Sequence, residues 1–193
     1  MLFTHSATER RRVVEVGAQP GDDNSKYYDV TSVIVHERYR LNDPNNDIAL
    51  LVVNSTIPLS DKIRPVALPP IGSTVPGNNG RFVSFRRPGN SQKLQEFSVD
   101  YVNATVCQEM YGSIFNITED MFCAGLSAGV GQTCQATPGM PLVGYSQNAP
   151  STPVLYGITS FGVGSVMEGF PGLYVNVAAF RPWIDAKLRE NGY

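Results

Sequence analysis

The chain has 193 residues, 42% of them hydrophobic and 10% aromatic, with a formal net charge of −2. That length suits one domain, or one closely joined pair of small ones, and the apolar content supplies a real core and excludes a disordered chain. The charge gives no electrostatic case for nucleic acid or an anionic membrane surface, and no apolar run approaches the length that spans a bilayer.

In chain order, the opening residues MLFTHSATERRR are too short and too polar to read as a signal peptide, and Glu9-Arg10-Arg11-Arg12 reads as a solvated loop. Residues 13–16 (VVEV) and Gly17 predict a short strand and a turn, and 21–25 (GDDNS) a solvated acidic turn without the ligand spacing of a calcium loop. Residues 27–35 (YYDVTSVIV) alternate and are β-branched, which predicts a strand. Residues 47–53 (DIALLVV) form a near-continuous apolar run between Asn/Pro turns, the pattern of a strand buried on both faces. Residues 99–106 (VDYVNATV) predict a strand and 107–111 a short helix. At the end, 178–190 places Trp183, Ile184 and Leu188 at helical spacing, with Pro182 in the first turn and the apolar stripe packed on the rest of the fold.

Chemistry-bearing residues are few. Two histidines far apart and three cysteines without C-x-x-C spacing make no zinc site, and no glycine-rich loop cradles a phosphate, so no metal and no cofactor is expected. Cys107 and Cys123 bracket a short loop rich in turn-formers. Three N-x-[S/T] sequons, at Asn54, Asn103 and Asn116, each in a polar stretch that reads as loop, point to a secreted glycoprotein. His36 reads as a solvent-facing residue after a strand.

The most informative stretch is 131–145, GQTCQATPGMPLVGY. It resembles the nucleophile loop of the chymotrypsin/trypsin-like serine proteases, C-x-G-D-S-G-G-P-L-V. Cys134, Gln135, Gly139, Pro141, Leu142 and Val143 stand in that pattern, while Ala136, Thr137, Pro138 and Met140 depart from it. The resemblance extends to Thr4-His5-Ser6 against A-A-H-C, to NNDIALL from Asn45, to MFCAG from Met121, and to the strand-like runs 154–161 and 172–177. It covers the chain from His5 onward.

The resemblance implies an all-β fold, a chymotrypsin-like double six-stranded β-barrel with the first barrel incomplete and a C-terminal α-helix. It divides 1–193, a single peptidase domain, into 1–58 (the remainder of the first barrel), 59–76 (an inter-barrel linker), 77–177 (the second barrel) and 178–193 (the helix). The family's opening strands would precede Met1, so truncation of the sequence is expected, the alternative being a protein that lives without those strands. Cys107 and Cys123 pair in the family, whereas the usual partner of Cys134 falls where Ser165 stands, leaving a thiol that is either buried or free for an intermolecular bridge. Where the family's calcium-binding members carry a Glu, this chain has Ala18.

For the site, the resemblance implies a remnant catalytic dyad of His5 and Asp47, with the nucleophile lost at Pro138. Proline has neither a hydroxyl nor a backbone N–H, so the oxyanion loop of Ala136, Thr137 and Pro138 also lacks a donor. The pocket residues carried over are Gln132 at the floor, Ser160 and Gly162 along the wall, and Gly172. A neutral floor does not hold Arg or Lys. The expectation that follows is no enzyme: an inactive homologue that works by protein binding, as cofactor or decoy in an extracellular proteolytic cascade. Its partner would be a protein or peptide, either a protease or the substrate of one, and not nucleic acid or membrane. The alternatives are an active serine-type endopeptidase of unusual site, or a degenerate gene product.

Overall fold

The computed structural model describes residues 12–17, 25–75, 81–86, 95–125, 138–146, 149–160 and 170–193. Its first part is a three-stranded antiparallel sheet of β1 (Val13–Val16), β2 (Lys26–Val35) and β3 (Ala49–Val53), in that order. Val13 faces Asp29 and Val35 faces Ala49, with a register shift between Val30 and Ser32. The run predicted as a strand from residue 47 begins at Ala49, and all of β3 is half-buried rather than buried on both faces. The apolar run is shared out instead. Ile48, 2% exposed, leaves the sheet and packs on Val175, Val177, Phe180 and Ile184.

The second part is a closed antiparallel barrel. Its strands are β4 (Arg81–Arg86), β5 (Gln95–Val102), β6 (Met121–Gly125), β7 (Pro141–Ser146), β8 (Ala149–Thr159) and β9 (Gly172–Asn176). They pair in the order β4-β5-β6-β9-β8-β7. Side chains alternate across each strand, so the inward set fills one core: Phe82, Val99, Phe122, Ala124, Leu142, Val154, Tyr156 and Tyr174. That core leaves no room beside Gly157, where an added Cβ would lie 2.9 Å from Phe122 Cζ. The segment between β3 and β4 joins the barrel directly, since the Ala67 N–H donates to Pro153 O (3.2 Å) and the Leu155 N–H to Ala67 O (2.9 Å).

Between β5 and β6 lies α1 (Ala104–Tyr111). The strand predicted over 99–106 therefore stops at Val102. Asn103 turns the chain, its Oδ1 accepting from the Thr105 N–H at 2.8 Å. An asparagine that caps a helix wins here over the β-branched residues that follow it. Cys107 and Cys123 form a disulfide, with Cα atoms 5.8 Å apart, that ties α1 to β6. Closing a loop of this size contributes roughly 3 kcal/mol. Around it pack Tyr111, Met121 and Leu173, and the buried Tyr111 hydroxyl donates to Pro171 O.

The C-terminal helix, α2 (Val177–Glu190), buries Val177, Ala178, Phe180 and Ile184. Trp183 is half-buried beside them, while Leu188 is 37% exposed, so the predicted stripe docks through its first part only. Pro182 lies inside the helix, past the first turn where it was expected, because the helix starts at Val177. There the missing N–H removes one intrahelical bond. The Arg181 guanidinium reaches Asp185 and Pro69 O, which fastens α2 to the segment between β3 and β4.

Candidate active site

Asp47 is positioned by the loop before β3. Asp43 Oδ1 accepts from the Asn45 N–H (2.9 Å) and from Asn45 Nδ2 (2.7 Å), which closes a local turn. Thr118 Oγ1 donates to Asn45 Oδ1 at 2.8 Å and so anchors that turn to the loop before β6. Asn46 follows in the left-handed region, φ 57°, a conformation asparagine tolerates, and the Ile48 N–H donates to Asn46 O at 2.8 Å. With Ile48 buried on the far side, the half-buried Asp47 side chain is held against the end of β8.

There it meets Ser160, whose hydroxyl donates to Asp47 Oδ2 at 2.8 Å. Ser160 is 1% exposed, and its N–H donates to Leu173 O at 3.0 Å. Burial raises Asp47 above the ordinary aspartate value, with the Ser160 hydrogen bond opposing the rise. Burial, and then the Asp47 charge, likewise holds the Tyr39 phenol above its usual range. A buried carboxylate with one good donor is a hydrogen-bond acceptor of high basicity, suited to fixing and stabilising a neighbouring cation. Ser160 is committed to Asp47 and shielded from solvent.

The turn at 138–140 is tied to the same strand end. The Gly139 N–H donates to Thr159 O and the Thr159 N–H to Met140 O, both at 2.8 Å. Gly139 takes φ 86°, which a side chain would oppose, so the glycine retained from the motif has a local reason. Pro138 is exposed at the head of this turn. The Thr159 hydroxyl is buried without a partner among the described residues.

His5, Gln132, Ala136, Thr137 and Gly162 lie outside the described residues, as do Ala18, Cys134 and Ser165. Of the expected site, the structure thus brings together Asp47, Ser160 and the Pro138 turn. Gly172 faces Ala124 in the barrel ladder, and a Cβ there would lie 2.9 Å from the Tyr174 ring. Asn54, Asn103 and Asn116 are all exposed. Among the described residues no three His, Cys, Asp or Glu side chains are grouped as a metal ion would require.

His36 differs from its expected solvent-facing role. Its ring lies 5.4 Å from Phe180 and 5.0 Å from Trp183, measured between centroids, and burial lowers its pKa. Beside it Glu37 accepts from Trp183 Nε1 (2.9 Å) and pairs with Lys187 (2.6 Å). These bonds, Lys187 first, hold the Glu37 carboxyl down to about 2. No local pattern signals this contact, because α2 arrives from the other end of the chain. The same holds for the Ser160–Asp47 bond, whose partners are 113 residues apart.

A family model described as Trypsin matches residues 4–184. The chain is 34% identical over 190 residues to a trypsin of Phaedon cochleariae, covering 94% of this chain and 69% of that protein. It is 33% identical over 170 residues to trypsin Tyr p 3.0101 of Tyrophagus putrescentiae, covering 84% and 57%. With the vitellin-degrading protease of Bombyx mori it shares 37% over 100 residues, 52% of this chain and 35% of the relative. The chain therefore spans from about a third to about two thirds of the length of these curated relatives.

These findings correct the expectation that the chain is no enzyme. Its relatives are named trypsin and protease, and the match runs through both Asp47 and Pro138. The physical reason is that losing one attacking hydroxyl subtracts a group without dismantling a site. Such sites retain rate enhancement from binding and electrostatics after a triad member is removed. Among the described residues no helix is long and apolar enough to cross a membrane.

Proposed function

This chain belongs to the trypsin family, and we propose that within it the chain acts on polypeptides as a serine-type endopeptidase of unusual site. The observation that carries this reading is the half-buried Asp47 carboxylate with the Ser160 hydroxyl fixed on it at 2.8 Å. That pair serves to orient a base and to stabilise its protonated form. In this reading His5 is the base, Asp47 fixes it, and Ser160 holds Asp47. Pro138 brings no hydroxyl, so water attacks. Its oxygen bonds to the peptide carbonyl carbon, and its proton passes to His5 and then to the amine as the C–N bond breaks.

The rate follows from what Pro138 lacks. Losing the serine nucleophile of a comparable hydrolase lowers kcat by about 10⁶. Pro138 also withholds an oxyanion N–H, leaving Ala136 and Thr137 to line that loop. Slow turnover is therefore the expectation. Gln132, Ser160, Gly162 and Gly172 are assigned to a substrate pocket whose uncharged floor favours neutral side chains over Arg and Lys. Residues 1–193 are assigned to one peptidase domain, with 59–76 joining the two halves. A protein substrate and an extracellular setting are the partner and location proposed, by analogy with relatives named as proteases.

The test is prolonged incubation of the full chain, at high concentration, with an unfolded protein, followed by mass spectrometry of new termini. Cleavage after uncharged residues, absent with Asp47→Asn, supports the reading. No new termini above a buffer control, or the same termini with Asp47→Asn, overturns it.

A further inference from the structure

We propose that Asn54, Asn103 and Asn116 carry N-linked glycans. This goes beyond the peptidase reading and does not depend on hydrolysis. Each residue heads an acceptor triplet, Asn54-Ser55-Thr56, Asn103-Ala104-Thr105 and Asn116-Ile117-Thr118. The triplet alone is a sequence pattern. The structure adds the state of the atom that would be modified, the side-chain nitrogen Nδ2.

Among the described residues, three asparagines use that nitrogen internally. Asn45 Nδ2 donates to Asp43, Asn176 Nδ2 to Glu119 O, and Asn191 Nδ2 to Lys187 O. None of those three heads a triplet. Asn54, Asn103 and Asn116 are exposed, and among the described residues no protein acceptor takes their Nδ2. Where these side chains bond, they use the other atom. Asn103 Oδ1 accepts from the Thr105 N–H at 2.8 Å, and Asn54 Oδ1 from the Ser55 hydroxyl at 3.5 Å. Attachment of a sugar at Nδ2 leaves Oδ1 in place, so the cap on α1 survives the modification.

The placement has a consequence for the surface. Asn103 stands at the start of α1 and Asn116 in the loop beyond it, which Gln108 of α1 holds by accepting the Ile117 N–H at 3.1 Å. Ala104, Ile117 and Thr118, all triplet residues, line a groove of about 420 Å³ together with Val75 and Gln108. Neither Asp47 nor Ser160 lines that groove. Asn54 follows β3 at the end remote from Asp47. The carbohydrate at Asn103 and Asn116 therefore flanks that groove, and that at Asn54 stands past the end of β3.

The experiment is the intact mass of the full chain, secreted from a eukaryotic host behind an appended leader, before and after PNGase F. The account expects a loss of three glycan-sized steps, with peptide mapping finding aspartate at 54, 103 and 116 after digestion. Asn103→Asp keeps a capping oxygen and is expected to lose one step without moving the denaturation midpoint. Thr105→Ala is expected to lose the same step with the asparagine cap intact. A secreted chain of unmodified mass, unchanged by the enzyme, overturns the proposal. Asparagine still present at one of the three positions after digestion overturns it for that position.

Discussion

Removing the Ser160 hydroxyl perturbs the candidate site with the least change elsewhere. In Ser160→Ala the Asp47 carboxylate loses a donor at 2.8 Å, at a place where Ser160 itself is 1% exposed and water has little room to substitute. A hydrogen bond to a charged group contributes about 1.5–3 kcal/mol, so a destabilisation of about 2 kcal/mol is expected at neutral pH. The loss should track charge. Asp47 already lies above 3.8 through burial, and the Ser160 bond opposes that rise, so the variant moves it further up. A carboxyl whose folded value exceeds its unfolded value disfavours the fold when ionised, and the penalty fades as pH falls through the folded value toward 3.8. Wild type and Ser160→Ala should therefore differ most at neutral pH and converge in acid. Urea denaturation at neutral pH and below 3.8 reads this directly. In an Asp47→Asn background, the change should cost about 1 kcal/mol or less, the range of neutral pairs. An equal loss at both pH values, or none at either, would refute the charge-assisted bond.

Replacing Cys107 and Cys123 by alanine opens a cross-link spanning 16 residues and is expected to cost roughly 3 kcal/mol, read from denaturation midpoints with and without reductant. An unchanged midpoint would mean that the disulfide does not restrain the unfolded chain. Gly157→Ala sets a Cβ 2.9 Å from Phe122 Cζ and 3.2 Å from Tyr174 Cβ, an overpacking expected to cost about 1–3 kcal/mol and to lower Tm. An unaltered Tm would contradict the close packing of the barrel core. Glu37 is expected to titrate near about 2 by carboxyl NMR, so its contribution is present above 4.5 and lost as pH falls through about 2. Lys187→Met should return that midpoint toward 4.5.

Much of the fold was legible because its signals are local. The apolar runs that become β2 and β3 announce themselves by pattern, and so does the helical spacing of α2, whereas β6, β8 and β9 were legible through resemblance to the family. The Cys107–Cys123 pair and the Asp47 segment were legible through resemblance. What failed depends on competition or distance. Asn103 diverts a β-branched run into a helix through one side-chain bond, and nothing in VDYVNATV weights that bond against strand propensity. The bond of Ser160 to Asp47 went unread, because a contact spanning 113 residues leaves no trace in either neighbourhood. His36 was read as exposed because its cover, Phe180 and Trp183, comes from α2. Pro138 led to the opposite error. A missing hydroxyl is visible in one letter, whereas the supports that remain around Asp47 are visible only in the fold.

The most direct measurement is the pH–rate profile for hydrolysis of one uncharged peptide amide by the full chain, beside Asp47→Asn. The account predicts slow cleavage that increases with pH as the Asp47 carboxylate ionises, and a rate at least tenfold lower in the variant at the pH where Asp47 is ionised, the two converging in acid, since losing this carboxylate costs up to about 10⁴ in a comparable enzyme. Superimposable profiles for the two proteins, or a wild-type rate equal to that of buffer, would contradict it.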